Sequence, residues 1–197
     1  MNFADAGAVT VATTAAGHAT LTANGNLTTT GITLDGTGAG VAGLTLSGSA
    51  NQTVSGAISA NANDDGTITV NNPGQKVTFE DTIGSMSKKV DTLEVTNGEA
   101  VLGGNAYFEN AVNLAAGTSA VTNNATLNAG DLSGVASSTF TNSANATATF
   151  GTVSSTGTVT NAGTATVSGV ISTASTIANT GTLTLGGINT NGTVNNT

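Results

Sequence analysis

The sequence predicts an all-β fold, a parallel β-solenoid whose coils hold about 18 residues each. The main observation is a phrase of an apolar residue, a small or polar residue and Asn, which recurs at intervals of 17 to 19 residues. The phrase ends at Asn123, Asn142, Asn161, Asn179 and Asn196. A repeat of this length is too short for a pair of helices and is typical of stacked β coils.

The composition is the second observation, because it favours ordered β structure. Charged residues make up 7% of the chain and aromatic residues 3%, and the 38% of hydrophobic residues are mostly Ala, Val, Leu and Ile. An ordinary globular domain has about a quarter charged residues, and a disordered chain is normally poor in β-branched residues. Abundant Thr and Val instead suit a pleated, half-buried surface.

The elements of one coil are clearest near the C-terminus, where residues 158–171 align with residues 176–189. Each unit contains a short strand, an Asn-X-Gly turn, an alternating strand, a Gly corner and a third short strand. Period-two alternation places Val167 on the inner face and Thr166 on the outer face. Gly and Asn suit the corners because they tolerate positive φ.

Stacking would place the five Asn residues above one another, about 4.8 Å apart. Their side chains could then form a hydrogen-bonded ladder, as identical side chains do in cross-β assemblies. Similar phrases with looser spacing extend through the N-terminal half, so we expect one solenoid domain over residues 1–197. A two-sheet sandwich of Thr-rich strands is the alternative, because periodicity alone does not separate stacked coils from meanders.

One region near residues 73–90 interrupts the pattern and predicts a loop insertion. It contains the single Pro and all three Lys residues. Loops on a rigid scaffold often carry contacts, although a solvated insertion without a partner is the simpler interpretation. The candidate contact residues are Lys76, Glu80, Asp81, Lys88 and Lys89.

Charge limits the partners of this chain. The net charge is −8, and the three Lys residues are the only cations. Binding to nucleic acid requires basic residues that displace counterions from phosphate, so we expect no nucleic-acid partner. Asp131 is the last charged side chain, and nothing after Asn189 resembles the polar cap of a free solenoid end. We therefore expect the last coil to continue into more solenoid, an anchor or a neighbouring subunit.

Catalytic and metal sites have few residues from which to form. The chain has no Cys, and His18 is its only His, so we expect a surface side chain there and no enzyme, small-molecule substrate or cofactor. Asp64 and Asp65 are adjacent, whereas glycoside cleavage needs two carboxylates that face each other. Calcium is the secondary interpretation of the loop 61–66, and a turn is the default. Recurrent Thr-X-Thr triplets, such as residues 182–184, resemble the faces of ice-binding solenoids.

A resemblance to known surface proteins rests on Asp81-Thr82-Ile83-Gly84, then Leu93-Glu94-Val95, then residues 98–105. This succession resembles the passenger regions of the large surface autotransporters of rickettsia-like bacteria, and the composition is similar to that of S-layer proteins. The resemblance implies a β-helix at the outer surface of a bacterium or outside it. It implies a structural role there. The uncapped, uncharged end predicts that this module self-associates into a coat, lattice or filament, because unpaired strand edges of neighbouring copies can dock on each other. The alternative is an adhesin for a host or cell-surface ligand, or an ice-binding module, that uses a Thr-lined face or the loop near 73–90.

Overall fold

The computed structural model describes residues 3–13, 16–36, 40–155, 157–171, 176–188 and 193–197. Within these ranges the chain forms strands and no helix. The strands of the first half are β1 (Phe3–Ala6), β2 (Val9–Ala12), β3 (His18–Ala23), β4 (Leu27–Thr29), β5 (Ile32–Asp35), β6 (Val41–Ser47), β7 (Gln52–Ser55), β8 (Ile58–Ala60), β9 (Asp65–Phe79) and β10 (Val90–Leu102). Those of the second half are β11 (Ala106–Leu114), β12 (Ala120–Asn123), β13 (Thr126–Gly134), β14 (Thr139–Asn142), β15 (Thr147–Ser155), β16 (Thr158–Asn161), β17 (Thr164–Ile171), β18 (Thr176–Asn179), β19 (Thr182–Ile188) and β20 (Thr193–Asn196).

These strands stack into a parallel β-solenoid with three faces, which confirms the predicted fold. Face 1 contains β1, β4, β7, the second halves of β9 and β10, β12, β14, β16, β18 and β20. Face 2 contains β2, β5, β8, Ile83 and the first halves of β11, β13, β15, β17 and β19. Face 3 contains β3, β6, the first halves of β9 and β10, and the ends of β11, β13, β15, β17 and β19.

Every strand pair between the described residues is parallel, and equivalent positions of successive coils face each other. In face 1, for example, Phe140 pairs with Val159, which pairs with Ile177 of the next coil. A sandwich of meandering strands would contain antiparallel pairs. The parallel register therefore excludes the sandwich that the sequence left as an alternative.

The predicted coil length needs a correction, because an average coil holds about 21 residues. Facing positions are 27 residues apart at Asn26 and Thr53 but 17 residues apart at Asn179 and Asn196. The Asn phrase is regularly spaced only in the C-terminal coils, so its spacing could not report the longer N-terminal coils. The solenoid consequently has longer coils at its N-terminal end and shorter coils at its C-terminal end.

The core is a column of aliphatic side chains enclosed by the three faces. Side chains such as Leu44, Ile68 and Leu93 of face 3 stack directly above one another and are fully buried. In the C-terminal half, Phe140 and Phe150 meet edge to face with their ring centroids 5.3 Å apart. Such a contact fills the narrow core from face 1 to face 2 and fixes the two rings relative to each other.

The region near 73–90 divides into two parts. Residues 73–79 belong to β9, and the strand turns a corner there before it continues on face 1. Residues 80–89 lie between β9 and β10, and Ile83 within them bridges to Ile58 and Ala106 on face 2. The protruding part is thus confined to a short turn after Gly84, where the Ser85 N–H donates to the carbonyl of Lys88. The predicted insertion is mostly a regular part of the coil.

Candidate functional site

The Asn phrase lies on β12, β14, β16, β18 and β20 of face 1. Alternation along these strands turns the apolar residue and the Asn inward, while the residues between them face outward. Asn123 and Asn142 are fully buried, and Asn161 and Asn179 nearly so. Asn196 on the last described strand is exposed. The corner after each strand therefore holds a polar group inside the core.

These five amides form one continuous ladder along the rod, as their spacing predicted. The Nδ2 atom of each Asn donates to the Oδ1 atom of the Asn in the next coil. The four distances are 2.8 Å from Asn123 to Asn142, 2.8 Å from Asn142 to Asn161, 2.7 Å from Asn161 to Asn179 and 2.6 Å from Asn179 to Asn196. All donors point towards the C-terminal end, so the ladder has a direction.

The ladder also forms hydrogen bonds with the backbone at the corner that follows each strand. Asn142 Nδ2 donates to the carbonyl of Ala146 in its own coil at 3.3 Å and to that of Thr164 in the next coil at 3.0 Å. Asn161 repeats this arrangement with the carbonyls of Gly163 and Thr182. The carbonyls of Ala146 and Gly163 also accept the backbone N–H groups of Thr164 and Thr182, so the Asn amide supplies a second donor to each of them. The Asn column thus sets the register of successive corners and is a structural element.

The outer surface of the C-terminal coils carries regular columns of Thr. On face 2, Thr147, Thr164 and Thr182 are in register, and a parallel column follows two residues later on the same strands. That second column contains Thr149, Thr166 and Thr184. Because the positions alternate with inward side chains, each strand presents two hydroxyl and two methyl groups outward. The result is a pleated, uncharged surface over several coils.

The predicted contact residues are mostly engaged within the solenoid. Lys76 Nζ lies 3.0 Å from Glu99 Oε2, and Lys89 Nζ lies 3.1 Å from Glu109 Oε2. Both pairs connect neighbouring coils. Ser55 Oγ donates to the carboxylate of Glu80, and the Gly56 N–H donates to that of Asp81 at 2.8 Å. Four of the five residues therefore form ion pairs or hydrogen bonds with an adjacent coil.

Lys88 differs from the other predicted contact residues because it lies at the tip of the turn. Its N–H donates to Ser85 Oγ, and its side chain is exposed. Met86 next to it is 79% exposed, which makes it the most exposed large apolar side chain among the described residues. The part of this region that can reach a partner is therefore the turn formed by residues 85–88.

A carboxylate cluster at the corner between faces 2 and 3 was not predicted as a unit. Asn110 Nδ2 donates to Asp64 Oδ1 at 2.8 Å and to Asp91 Oδ1 at 2.6 Å. Desolvation and the nearby Asp91 carboxylate raise the pKa of Asp64 above its ordinary value. Asn110 is 46 positions from Asp64 and 19 positions from Asp91 in the sequence. Only the register of the coils brings the three residues together.

The loop proposed for calcium uses its oxygens for hydrogen bonds. Asn63 Oδ1 accepts from the Lys89 N–H at 3.0 Å, and Asp65 Oδ2 accepts from the Ala62 N–H at 2.7 Å. In the part of the chain that the structure describes, no group of three or more His, Cys, Asp or Glu residues is arranged to hold a metal ion. His18 is exposed at the start of β3, as expected for a surface side chain.

We expect Asp64→Asn to raise the melting temperature at pH 7 by about 1–2 °C, from about 0.5 kcal/mol of relieved desolvation and charge repulsion. The pKa of Asp64 is raised above 3.8 in the folded chain. The protonated form of Asp64 therefore stabilises the fold fully below pH 3.8. This stabilisation is lost as the pH rises through the raised pKa of the folded chain. Thermal unfolding at pH 7 and pH 3 should therefore show the difference only at pH 7.

Glu109→Gln is the control with the opposite sign. A hydrogen bond from Lys89, followed by one from Asn63, lowers the pKa of Glu109 below 4.5, so its contribution is present above pH 4.5 and is lost on acidification. This substitution should lower the melting temperature at pH 7 and leave it unchanged at low pH. Equal effects of the two substitutions at pH 7 would contradict the assigned interactions.

The chain matches no protein-family model, no curated protein and no solved structure. Among the described residues there is also no helix that is long and apolar enough to cross a membrane. The ladder, the Thr columns and the distribution of charge are therefore the features on which a function can be proposed.

Proposed function

We propose that this chain is a structural module of an exported bacterial surface protein and that its copies self-associate into a coat, lattice or filament. The observation that carries this proposal is the separation of charge along the rod. All three Lys and all eleven Asp and Glu residues precede residue 132. The coils formed by residues 132–197 carry no ionisable side chain, and two copies can pack there without bringing like charges together.

The regular Thr columns support packing between copies. Face 2 of these coils presents Thr149 and Thr166 in register, with partly exposed side chains. A contact between two such faces buries methyl groups and short hydroxyls, and it removes no charge from water. Burying an unpaired charge would cost far more than burying a hydroxyl that finds a hydrogen-bond partner. A rigid solenoid also holds these groups in a fixed array, which lowers the ordering cost of association.

The last described coil offers a second surface of the same kind. Leu183, Leu185 and Val194 pack against the core but are only partly buried. They line a cavity of about 490 Å³ together with Asn179 and Asn196. A coil stacked on this surface, from this chain or from another copy, would cover the apolar side chains and accept from the Asn196 amide. Strand edges are common sites of such β-augmentation.

The proposal predicts that the 197-residue chain associates as its concentration rises and that Thr149→Lys with Thr166→Lys opposes this. The two added charges would have to be desolvated in the contact, so we expect the apparent dissociation constant to rise about tenfold or more. Sedimentation velocity over a wide concentration range would measure this constant. Electron micrographs of the wild-type chain would show whether the assemblies are sheets or filaments.

Thr10→Lys is the matched control, because Thr10 faces outward on face 2 but lies in the charged half of the rod. This substitution should not weaken association. Added salt should strengthen association of the wild-type chain by screening repulsion between the acidic halves. Strictly monomeric behaviour at all concentrations would contradict the proposal. If that monomer also showed thermal hysteresis, the Thr face would instead serve the ice-binding alternative.

A further inference from the structure

Two buried amide side chains lie at the corner between faces 3 and 1 in the N-terminal half, where the Asn column is absent. Gln52 is 2% exposed and Asn72 is fully buried. Gln52 Nε2 donates to the carbonyls of Ala23 at 3.2 Å and Gly25 at 3.0 Å. Asn72 Nδ2 donates to the carbonyl of Ala50 at 2.9 Å. These donor contacts fix which end of each amide is nitrogen and which is oxygen.

The two amide oxygens have no hydrogen-bond donor among the described residues. Gln52 Oε1 and Asn72 Oδ1 are both buried and both lack a partner there. Both groups lie beside Gly48, because a Cβ placed there would be 3.4 Å from Asn72 Oδ1 and 3.4 Å from Gln52 Cδ, so these two atoms are at most twice that distance apart. Buried polar atoms of folded proteins are nearly always hydrogen-bonded, and two adjacent exceptions indicate a shared partner.

We propose that a buried water molecule binds between Gln52 and Asn72 and donates one O–H to each amide oxygen. Buried water typically makes about three hydrogen bonds to polar groups that would otherwise be unsatisfied. A water molecule has two hydrogens to give, which matches the two acceptors. Calcium would require about six to eight oxygen ligands, usually including carboxylates, and two neutral amide oxygens do not supply such a set.

This water site gives the N-terminal coils a polar connection comparable to the Asn ladder. In the C-terminal half an amide contacts the amide of the next coil directly, as Asn142 does with Asn161. Gln52 and Asn72 instead each use their donors for carbonyls of the preceding coil, which leaves both amide oxygens without a hydrogen to accept among the described residues. The bridging water supplies that hydrogen and connects β7 to the corner of β9.

A crystal structure at high resolution tests the site directly. We expect one density peak at about 2.7–3.0 Å from both amide oxygens, the usual distance of a hydrogen bond with an O–H donor. The peak should persist in crystals grown with a chelator. A peak about 2.3–2.6 Å from several oxygens, as for a bound cation, would overturn the assignment to water. Oxygens that accept directly from protein donors would overturn it as well.

A double-mutant cycle provides a second test in solution. Gln52→Met and Asn72→Leu should each lower the melting temperature by about 3 °C or more. If one water bridges both groups, either substitution disturbs it, and the double variant should lose less than the sum of the single losses. Gln52→Met combined with Val167→Ala, a core truncation far along the rod, should be additive. Additivity in both pairs would overturn the shared site.

Discussion

Replacement of Asn142 by Leu should lower the free energy of unfolding by about 3–5 kcal/mol, which is a large effect for one side chain. Asn142 lies in the middle of the ladder and is fully buried. Its amide donates to Asn161, Ala146 and Thr164 and accepts from Asn123. Leu fills a similar volume but makes none of these hydrogen bonds.

The size of this effect follows from the groups that would lose their partners. The Asn123 amide would lose its acceptor in the next coil, and Asn161 Oδ1 would lose its donor. The carbonyls of Ala146 and Thr164 would each lose one donor, and that of Ala146 would keep the N–H of Thr164 as a partner. Each buried polar atom left without a partner costs about 1–3 kcal/mol. Because Asn123 keeps the contacts with the carbonyls of Ala125 and Thr147, the effects should not simply add.

Urea denaturation of Asn142→Leu should be compared with two control variants. Thr141→Ala changes the outward neighbour on the same strand and should cost less than about 1 kcal/mol. Asn196→Leu removes the exposed last member of the ladder, which accepts one hydrogen bond from Asn179, and it should be mild. If Asn142→Leu were no more destabilising than Asn196→Leu, the ladder would not contribute to stability as the geometry indicates.

The ladder is also the part of the molecule that the sequence predicted best. An inward Asn four residues into each short strand repeats with the coil, so the pattern of residue types encodes the contact. The same is true of the alternation that turns Val167 inward and Thr166 outward. The inward Asn and the alternation both follow from local periodicity. In a regular stack they recur at the same position of each coil.

Contacts between coils of unequal length could not be predicted in this way. The ion pairs Lys76–Glu99 and Lys89–Glu109 depend on the register between coils. The sequence predicted a contact loop at these Lys residues, whereas in the structure they form ion pairs with the neighbouring coil. The corner at Gln52 and Asn72 depends on register too, because the two residues come from different coils. Coil length varies through extra corner residues, and no repeated phrase in the N-terminal half reports where those residues lie.

Gly98→Ala is the second substitution for which we expect a large loss, about 2–5 kcal/mol in the free energy of unfolding. Gly98 has a φ of 81°, in the left-handed region that side chains with a Cβ disfavour. A Cβ at this position would also lie 2.2 Å from the Asn72 carbonyl oxygen and 2.7 Å from that of Gln75. Both oxygens belong to the backbone of the preceding coil, so relief of the clash requires the coils to separate.

Three further Gly→Ala substitutions separate the conformational cause from the steric one. Gly74 has a φ of 70° but open space around a Cβ, so Gly74→Ala should cost only about 1–2 kcal/mol of strain. Gly163 is not in the left-handed region, but its Cβ would lie 2.2 Å from the Ala146 carbonyl oxygen, and we expect a loss of about 1–3 kcal/mol. Gly7 has neither constraint, and Gly7→Ala should be neutral or slightly stabilising.

Urea denaturation of these four variants would show whether close coil-to-coil approach is the main reason for Gly at the corners. If it is, Gly98→Ala should lose clearly more than Gly74→Ala, and Gly163→Ala should lose more than Gly7→Ala. If Gly98→Ala and Gly74→Ala lost the same amount, positive φ alone would explain the corner glycines. The difference bears on assembly as well, because a coil from another copy that docked on this rod at the same spacing would face the same steric limit at its corners.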